Sequence, residues 1–190
     1  MKEIPFFLLV IFSAFTMNPV LQCGLGINSE SGNPGRLSTF IKLGIIFITV
    51  ILLWNIFSLI NSIISGIYIY VLLFPVSYIS YAGLEHLIFH ILKRDPQKDH
   101  TIGFPGGITA AALFISFGIA NNFIEVLALA FGFTFGTLIV FLILSEIQKR
   151  SVLEAVPRYL RGKPLILISM GLLSLVLSKA SILLFRIIGN

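Results

Sequence analysis

The chain has 190 residues, 57% of them hydrophobic and 11% charged, with a mean hydropathy of +1.02 and a formal net charge of +5. Soluble domains carry charge on roughly a quarter of their residues, so this composition excludes a water-soluble enzyme with its own core and indicates an integral membrane protein. A spanning helix takes about 20 apolar residues, so six would use about 120 and leave only short loops, which excludes a single anchor bearing a large soluble head. Porin-like strands alternate polar and apolar side chains, whereas Leu43 to Leu53 is apolar almost without interruption. The fold class is therefore all-α, multi-pass, with the lipid bilayer as the principal surroundings.

In chain order, the apolar segments fall at about Ile4–Ile27, Thr39–Ile60, Ile67–Leu92, Ile102–Ala120, Phe123–Ile147 and Pro164–Phe185. They predict six transmembrane helices in one domain covering residues 1–190. Lys2, the apolar run from Ile4 to Phe15 and Cys23 also resemble a bacterial lipoprotein signal. Gln22 stands where such a signal needs a small residue, and the residues after Cys23 continue into further membrane segments, so the stretch is read as a span. Asn28–Ser38, with Gly32, Asn33, Pro34 and Gly35, is turn chemistry. The boundary between the second and third helices is marked more weakly, by Asn61, Ser62, Ser65 and Gly66.

The positive charge follows the loops. The first carries Arg36 with Lys42 close behind, the third Lys93, Arg94 and Lys98, and the fifth Lys149, Arg150, Arg158, Arg161 and Lys163; those ten are most of the 13 Lys and Arg. The second and fourth loops carry none. Positive loops face the cytoplasm, which puts the odd loops inside a bacterial inner (cytoplasmic) membrane and both termini outside. The charge thus reads as topology, with no nucleic-acid partner.

Two segments break the pattern. The first holds Asn18-Pro19 and Gly24-Leu25-Gly26, and the fourth Gly103, Pro105, Gly106 and Gly107. Pro removes a backbone donor and Gly weakens a helix, and irregular backbone at membrane depth survives only where protein or a wet cavity surrounds it. Broken first and fourth helices at matching places would make two inverted three-helix repeats, about 1–98 and 99–190, with a site at the pseudo-twofold axis. Ordinary Gly/Pro packing between helices accounts for the same residues, and on physical grounds the two explanations stand level.

Few side chains can carry chemistry. Glu85, His86 and His90 lie in the third segment, with Glu85 about 12 Å from Lys93 along a helix; His86 and His90 are four apart and share one face. They form either an interfacial or internally paired cluster or an ion or proton path, and no third ligand completes a metal site. Glu125 is a boundary residue of the fifth helix, and Glu146 a partner for Lys149 or Arg150. No nucleotide loop, HExxH motif or Ser/His/Asp arrangement is present, so the chain is not expected to be a catalyst on its own. Gly132 and Gly136 are spaced for close helix approach, within one subunit or between two. The lone Cys23 excludes an internal disulfide.

The fifth loop carries a resemblance. Glu146-Ile147-Gln148-Lys149-Arg150, Val156-Pro157-Arg158-Tyr159-Leu160-Arg161-Gly162 and Leu167 to Leu175 (LISMGLLSL) follow one another, and with Asn122-Phe123 and Gly136 they resemble the Rnf/Nqr membrane-subunit family over about Asn121–Ser178. Asn18-Pro19-Val20-Leu21 with Leu25-Gly26 is similar to the first helix of that family. The pattern of loop charge is similar to its A type. Rnf/Nqr proteins are six-helix subunits of complexes that couple ferredoxin or NADH oxidation to sodium or proton movement, and the resemblance implies an inverted E-type-like partner among other membrane subunits. In the family such a pair encloses a [2Fe–2S] cluster, each subunit bringing one cysteine at its broken first helix and one at its broken fourth.

Here those positions fall on Asn28 and on Gly107 or Ala111, while Cys23 lies five residues before Asn28. With Cys23 as its sole candidate ligand the chain supplies at most one of four thiolates. The resemblance therefore implies a non-catalytic subunit of a redox-driven ion pump, a scaffold and part of the ion/electron path, without iron-sulfur ligands of its own. The alternative, from a different class, is a small-solute transporter or the substrate-binding membrane component of an energy-coupling uptake system.

Overall fold

The computed structural model describes residues 6–23, 36–61, 68–93, 105–153, 157 and 163–188. Every element among them is helical: α1 (Phe6–Ile11), a π-helical turn (Phe12–Thr16), α2 (Pro19–Cys23), α3 (Arg36–Asn61), α4 (Tyr68–Ile91), α5 (Pro105–Ile119), α6 (Phe123–Leu153) and α7 (Lys163–Ile188). Three stretches are long and apolar enough to cross a membrane, Thr39–Asn61, Tyr68–Ile91 and Phe123–Ile147, and three shorter apolar ones are Phe6–Gln22, Pro105–Ile119 and Pro164–Ala180. The chain is a helical membrane protein, and these stretches lie where the hydropathy of the sequence puts them. The second and third segments, weakly divided in sequence, are two separate helices.

Helices α3 and α6 form the middle of the bundle and pack on each other. Helix α3 also meets α4 and α5; α6 also meets α1, the π turn, α2, α5 and α7; α4 lies on α5, α7 on the π turn and α2, and α2 touches α5. Leu43, Ile45 and Val50 of α3, Leu113 of α5, and Val126, Leu129 and Val140 of α6 are fully buried in this core. An aromatic seam ties three helices together far from the Arg36 end: Phe57 meets Phe117 edge-on at 6.5 Å, and Tyr70 meets Phe114 at 5.5 Å and Phe117 at 5.8 Å. Edge-to-face pairs at such separations add to simple packing.

The interruption expected in the fourth segment takes a different form. Pro105, Gly106 and Gly107 make the first turn of a continuous helix and do not break one. Proline suits this position because the first helical N–H has no partner in any case, and its fixed φ is already helical. Residues 101–104, which include Gly103, lie outside the described residues. Helix α5 nevertheless begins deep in the bundle: the ring of Tyr78 lies against Gly106, where a Cβ would come within 2.5 Å of it. Tyr78 is 13 residues from the end of α4, or about 20 Å along the axis. At 15 residues, α5 is about 22 Å long, short of the roughly 30 Å hydrocarbon core.

The first segment does break, and α6 is shaped to receive it. A Cβ on Gly132 would strike Ser13 Oγ and come within 2.5 Å of the Val10 carbonyl oxygen; one on Gly136 would strike the backbone of Ala14. The two glycines therefore serve packing within one subunit. Gly136→Ala is expected to destabilise the protein by about 1–3 kcal/mol, the usual range for an overpacked core, because backbone cannot yield as a side chain can. A Cβ on Gly171 would meet nothing within 4 Å, so Gly171→Ala is expected to unfold at the wild-type temperature; thermal unfolding of both variants in detergent checks the contrast.

Candidate functional site

Asn18-Pro19 stops α-helical bonding in the first segment, since proline has no N–H to donate. The chain leaves the π turn with a Met17 N–H to Phe12 O bond of 3.1 Å and starts again at Pro19, with Gln22 N–H donating to Asn18 O at 3.0 Å. Asn18 is the cap of the new helix: its Oδ1 accepts from the Val20 N–H at 3.0 Å, and an asparagine cap followed by proline is a favoured helix start. Its Nδ2 donates to Ala14 O at 3.0 Å and to Thr137 Oγ1 of α6 at 3.4 Å. Gln22 Nε2 donates to Thr16 O at 2.7 Å, and Ser13 Oγ to Val10 O at 3.0 Å. Side chains thus take up carbonyls around the break, as low-dielectric surroundings require. Asn18 itself is 0% exposed.

The second polar locus joins α3 to α4. Lys42 Nζ and Glu85 Oε1 are 3.7 Å apart, with side-chain exposures of 5% and 19%. The sequence places Lys42 with the first loop, and the structure corrects this: Lys42 is six residues inside α3 and faces the bundle. Since Lys42 follows Arg36 by six residues and Glu85 precedes Ile91 by six, both lie about 9 Å from neighbouring ends of antiparallel helices. Each charge sits at the depth of the other. One turn from Glu85, Tyr81 is 2% exposed; one turn from Lys42 on α3 stands Thr39. The hydroxyl oxygens of Tyr81 and Thr39 are both buried and have no hydrogen-bond partner.

The predicted trio is therefore divided. Glu85 is partly buried and paired with Lys42, whereas His86 and His90 are exposed on α4. Glu125 Oε2 accepts the Asn121 N–H at 2.8 Å, capping the start of α6, and Glu146 pairs with Arg150 at 3.3 Å on the exposed surface. Among the described residues, no three His, Cys, Asp or Glu side chains come together as a metal site would need.

No protein-family model and no curated protein matches the chain. The positions that the family resemblance points to can still be tested against the geometry. Cys23 is the last residue of α2, Gly107 and Ala111 are one turn apart on α5, and α2 touches α5; Asn28 lies outside the described residues. The two elements are neighbours, but neither Gly107 nor Ala111 offers a sulfur. A Cys₄ cluster does not fit this donor set, and no electron step is assigned to the chain.

Breaking a buried ion pair by removing one partner leaves an unpaired charge and costs about 3–5 kcal/mol. Glu85→Gln is expected to destabilise the protein near the lower end of that range, since Glu85 is partly exposed. The Lys42→Met/Glu85→Gln double variant is expected to recover most of the loss, measured as a double-mutant cycle of unfolding in choline buffers. At the break, Asn18→Ala, which orphans the Val20 N–H and the Ala14 carbonyl, is expected to cost about 1–3 kcal/mol. Thr137→Val, which loses one long bond, is expected to cost less in the same assay.

Proposed function

We propose that the chain is a six-span membrane subunit similar to the A type of the Rnf/Nqr family. It would serve as scaffold and part of the ion path of a redox-driven ion pump in a bacterial cytoplasmic membrane, with both termini outside and an inverted E-type-like subunit beside it. The observation that carries this reading is the pattern of helix pairing. If the segment α1–α2 is exchanged with α5, α3 with α6, and α4 with α7, the first segment's packing on α6 becomes the packing of α5 on α3. Its packing on α7 becomes that of α5 on α4, and α3 on α4 becomes α6 on α7. The α3–α6 and α2–α5 contacts map onto themselves, while the contact of α5 with α6 has no comparable counterpart between the first segment and α3 among the described residues. An inverted repeat with its axis between these pairs has this property, and such repeats place their sites at the axis.

Further support comes from the interruption at Asn18 and the start of α5 deep within the bundle, both characteristic of folds with discontinuous helices. Electrons that pass this subunit must travel on a cofactor held by its partners, because its own ligand positions fall on Asn28 and on Gly107 or Ala111, and its single thiol, Cys23, lies five residues before the first of them.

Two measurements test the reading. Single cysteines introduced in the Lys149–Lys163 connection of a Cys23→Ser protein are expected to react only with a reagent admitted to the cytoplasmic side; labelling from outside would overturn the topology. The native complex is expected to copurify with flavin-bearing and iron-bearing subunits, and Cys23→Ser is expected to leave its iron content unchanged. Copurification with a pair of ATPases would replace this reading with that of an uptake-system component.

A further inference from the structure

We propose that His86 and His90 are half of a zinc site, completed by the same two residues of a second copy of the chain packed α4 against α4. The inference concerns a face of α4 that the proposed function leaves unused, and it does not depend on that reading. His86 and His90 stand four residues apart on a continuous helix and are both exposed. Side chains so spaced have Cβ atoms about 5–6 Å apart on one face, close enough for both rings to hold one ion at the roughly 2.0–2.1 Å of a zinc–imidazole bond. Neither ring has a hydrogen-bond, ion-pair or ring partner among the described residues. Ionisable side chains at a membrane helix call for a partner, and these two are bare.

Ligand number decides what the partner must bring. Structural zinc takes four ligands in a tetrahedron, and this helix offers two. Glu85, next in sequence, is held by Lys42 of α3, and no third His, Cys, Asp or Glu joins the pair among the described residues. Copies of one chain inserted in a bilayer share one orientation, so a two-fold axis along the membrane normal brings identical residues level. A histidine pair facing that axis meets its own image at the same depth, and four imidazoles surround one point. The depth also admits the ion. Helix α4 has 24 residues, about 36 Å, against a hydrocarbon core of about 30 Å; His90 is one residue and His86 five residues from its last, Ile91, so the pair lies at the rim, where water delivers zinc.

The rest of the face is open to a helix. Leu72, Ile79 and Gly83 precede His86 by 14, 7 and 3 residues, steps that keep to one side of a helix, and all three are exposed. A Cβ on Gly83 would meet nothing within 4 Å. Packing within the chain therefore does not require glycine there, whereas a small residue one turn from the histidines lets two helices approach closely.

The test uses the full chain purified in detergent, with zinc titrated in and the mass of the protein in the micelle followed by light scattering. Zinc is expected to shift the wild type to a dimer that holds one zinc for two chains, and a chelator to reverse the shift. His86→Ala and His90→Ala are each expected to weaken zinc binding by more than the roughly 10–100-fold that loss of an outer-shell partner costs, and to stay monomeric at zinc concentrations that pair the wild type. Gly83→Leu keeps all four imidazoles and points into open space in its own chain, so it is expected to unfold at the wild-type temperature yet to dimerise more weakly. Cobalt in place of zinc is expected to give the visible absorption of a tetrahedral centre in the wild type and in neither histidine variant. Zinc bound at one per chain without a change of mass, or no response to zinc, would overturn the inference, as would zinc-driven dimers that Gly83→Leu leaves equally tight.

Discussion

Hydrocarbon offers no hydrogen-bond partner, so each polar group at membrane depth must find one inside the protein. Much of this bundle's departure from regular helix follows from that demand. Proline at position 19 stops the first helix, and the damage is contained by three side chains within ten residues: Ser13, Asn18 and Gln22 each donate to a backbone carbonyl. The charge of Lys42 is met by Glu85 at the same depth on the next helix. The demand is left unmet at the hydroxyls of Tyr81 and Thr39, each one helical turn along its own helix from a member of that ion pair.

Packing obeys a second rule, peculiar to membranes. Lipid tails are as apolar as leucine, so burying a leucine against another helix gains little; close contact gains more, and it favours small residues at the interface. The buried faces of α5 and α6 conform to this, with Ala112, Ala128 and Ala130 in the core and Gly106, Gly132 and Gly136 at the closest approaches. The glycines of α6 make a track into which the irregular first segment fits. Fit there requires both that the track be bare and that the segment keep its π turn, because Ser13 and Ala14 of that turn are the atoms that meet the glycines.

Periodic and compositional features of the sequence translated well into structure. Hydropathy located the apolar helices, Asn18-Pro19 marked the break, and Glu146 met Arg150 as an i, i+4 pair. What escaped were relations between distant segments. Lys42 reads as loop charge until it is known to stand six residues within α3, level with Glu85 on an antiparallel neighbour; the usable sign was that a lysine inside an apolar run needs a counter-charge. Gly106 and Gly107 read as helix breakers because propensity ignores neighbours, and only the Tyr78 ring against Gly106 reveals a packing glycine. Gln22 counted as an argument against a cleavage motif, whereas its function is to satisfy the Thr16 carbonyl, which no local pattern announces.

The bond from Asn18 to Thr137 closes a loop of 119 residues, and the glycines that seat the π turn belong to the same late helix. A ribosome therefore delivers the kinked opening segment long before its cradle exists. During that interval the fracture has only its own side chains to shield it, which makes Ser13, Asn18 and Gln22 guardians of biogenesis as well as parts of the finished fold. The first segment receives α6 and, after it in the chain, α7 against the π turn and α2, so the bundle is sealed around that segment only when most of the chain has been translated.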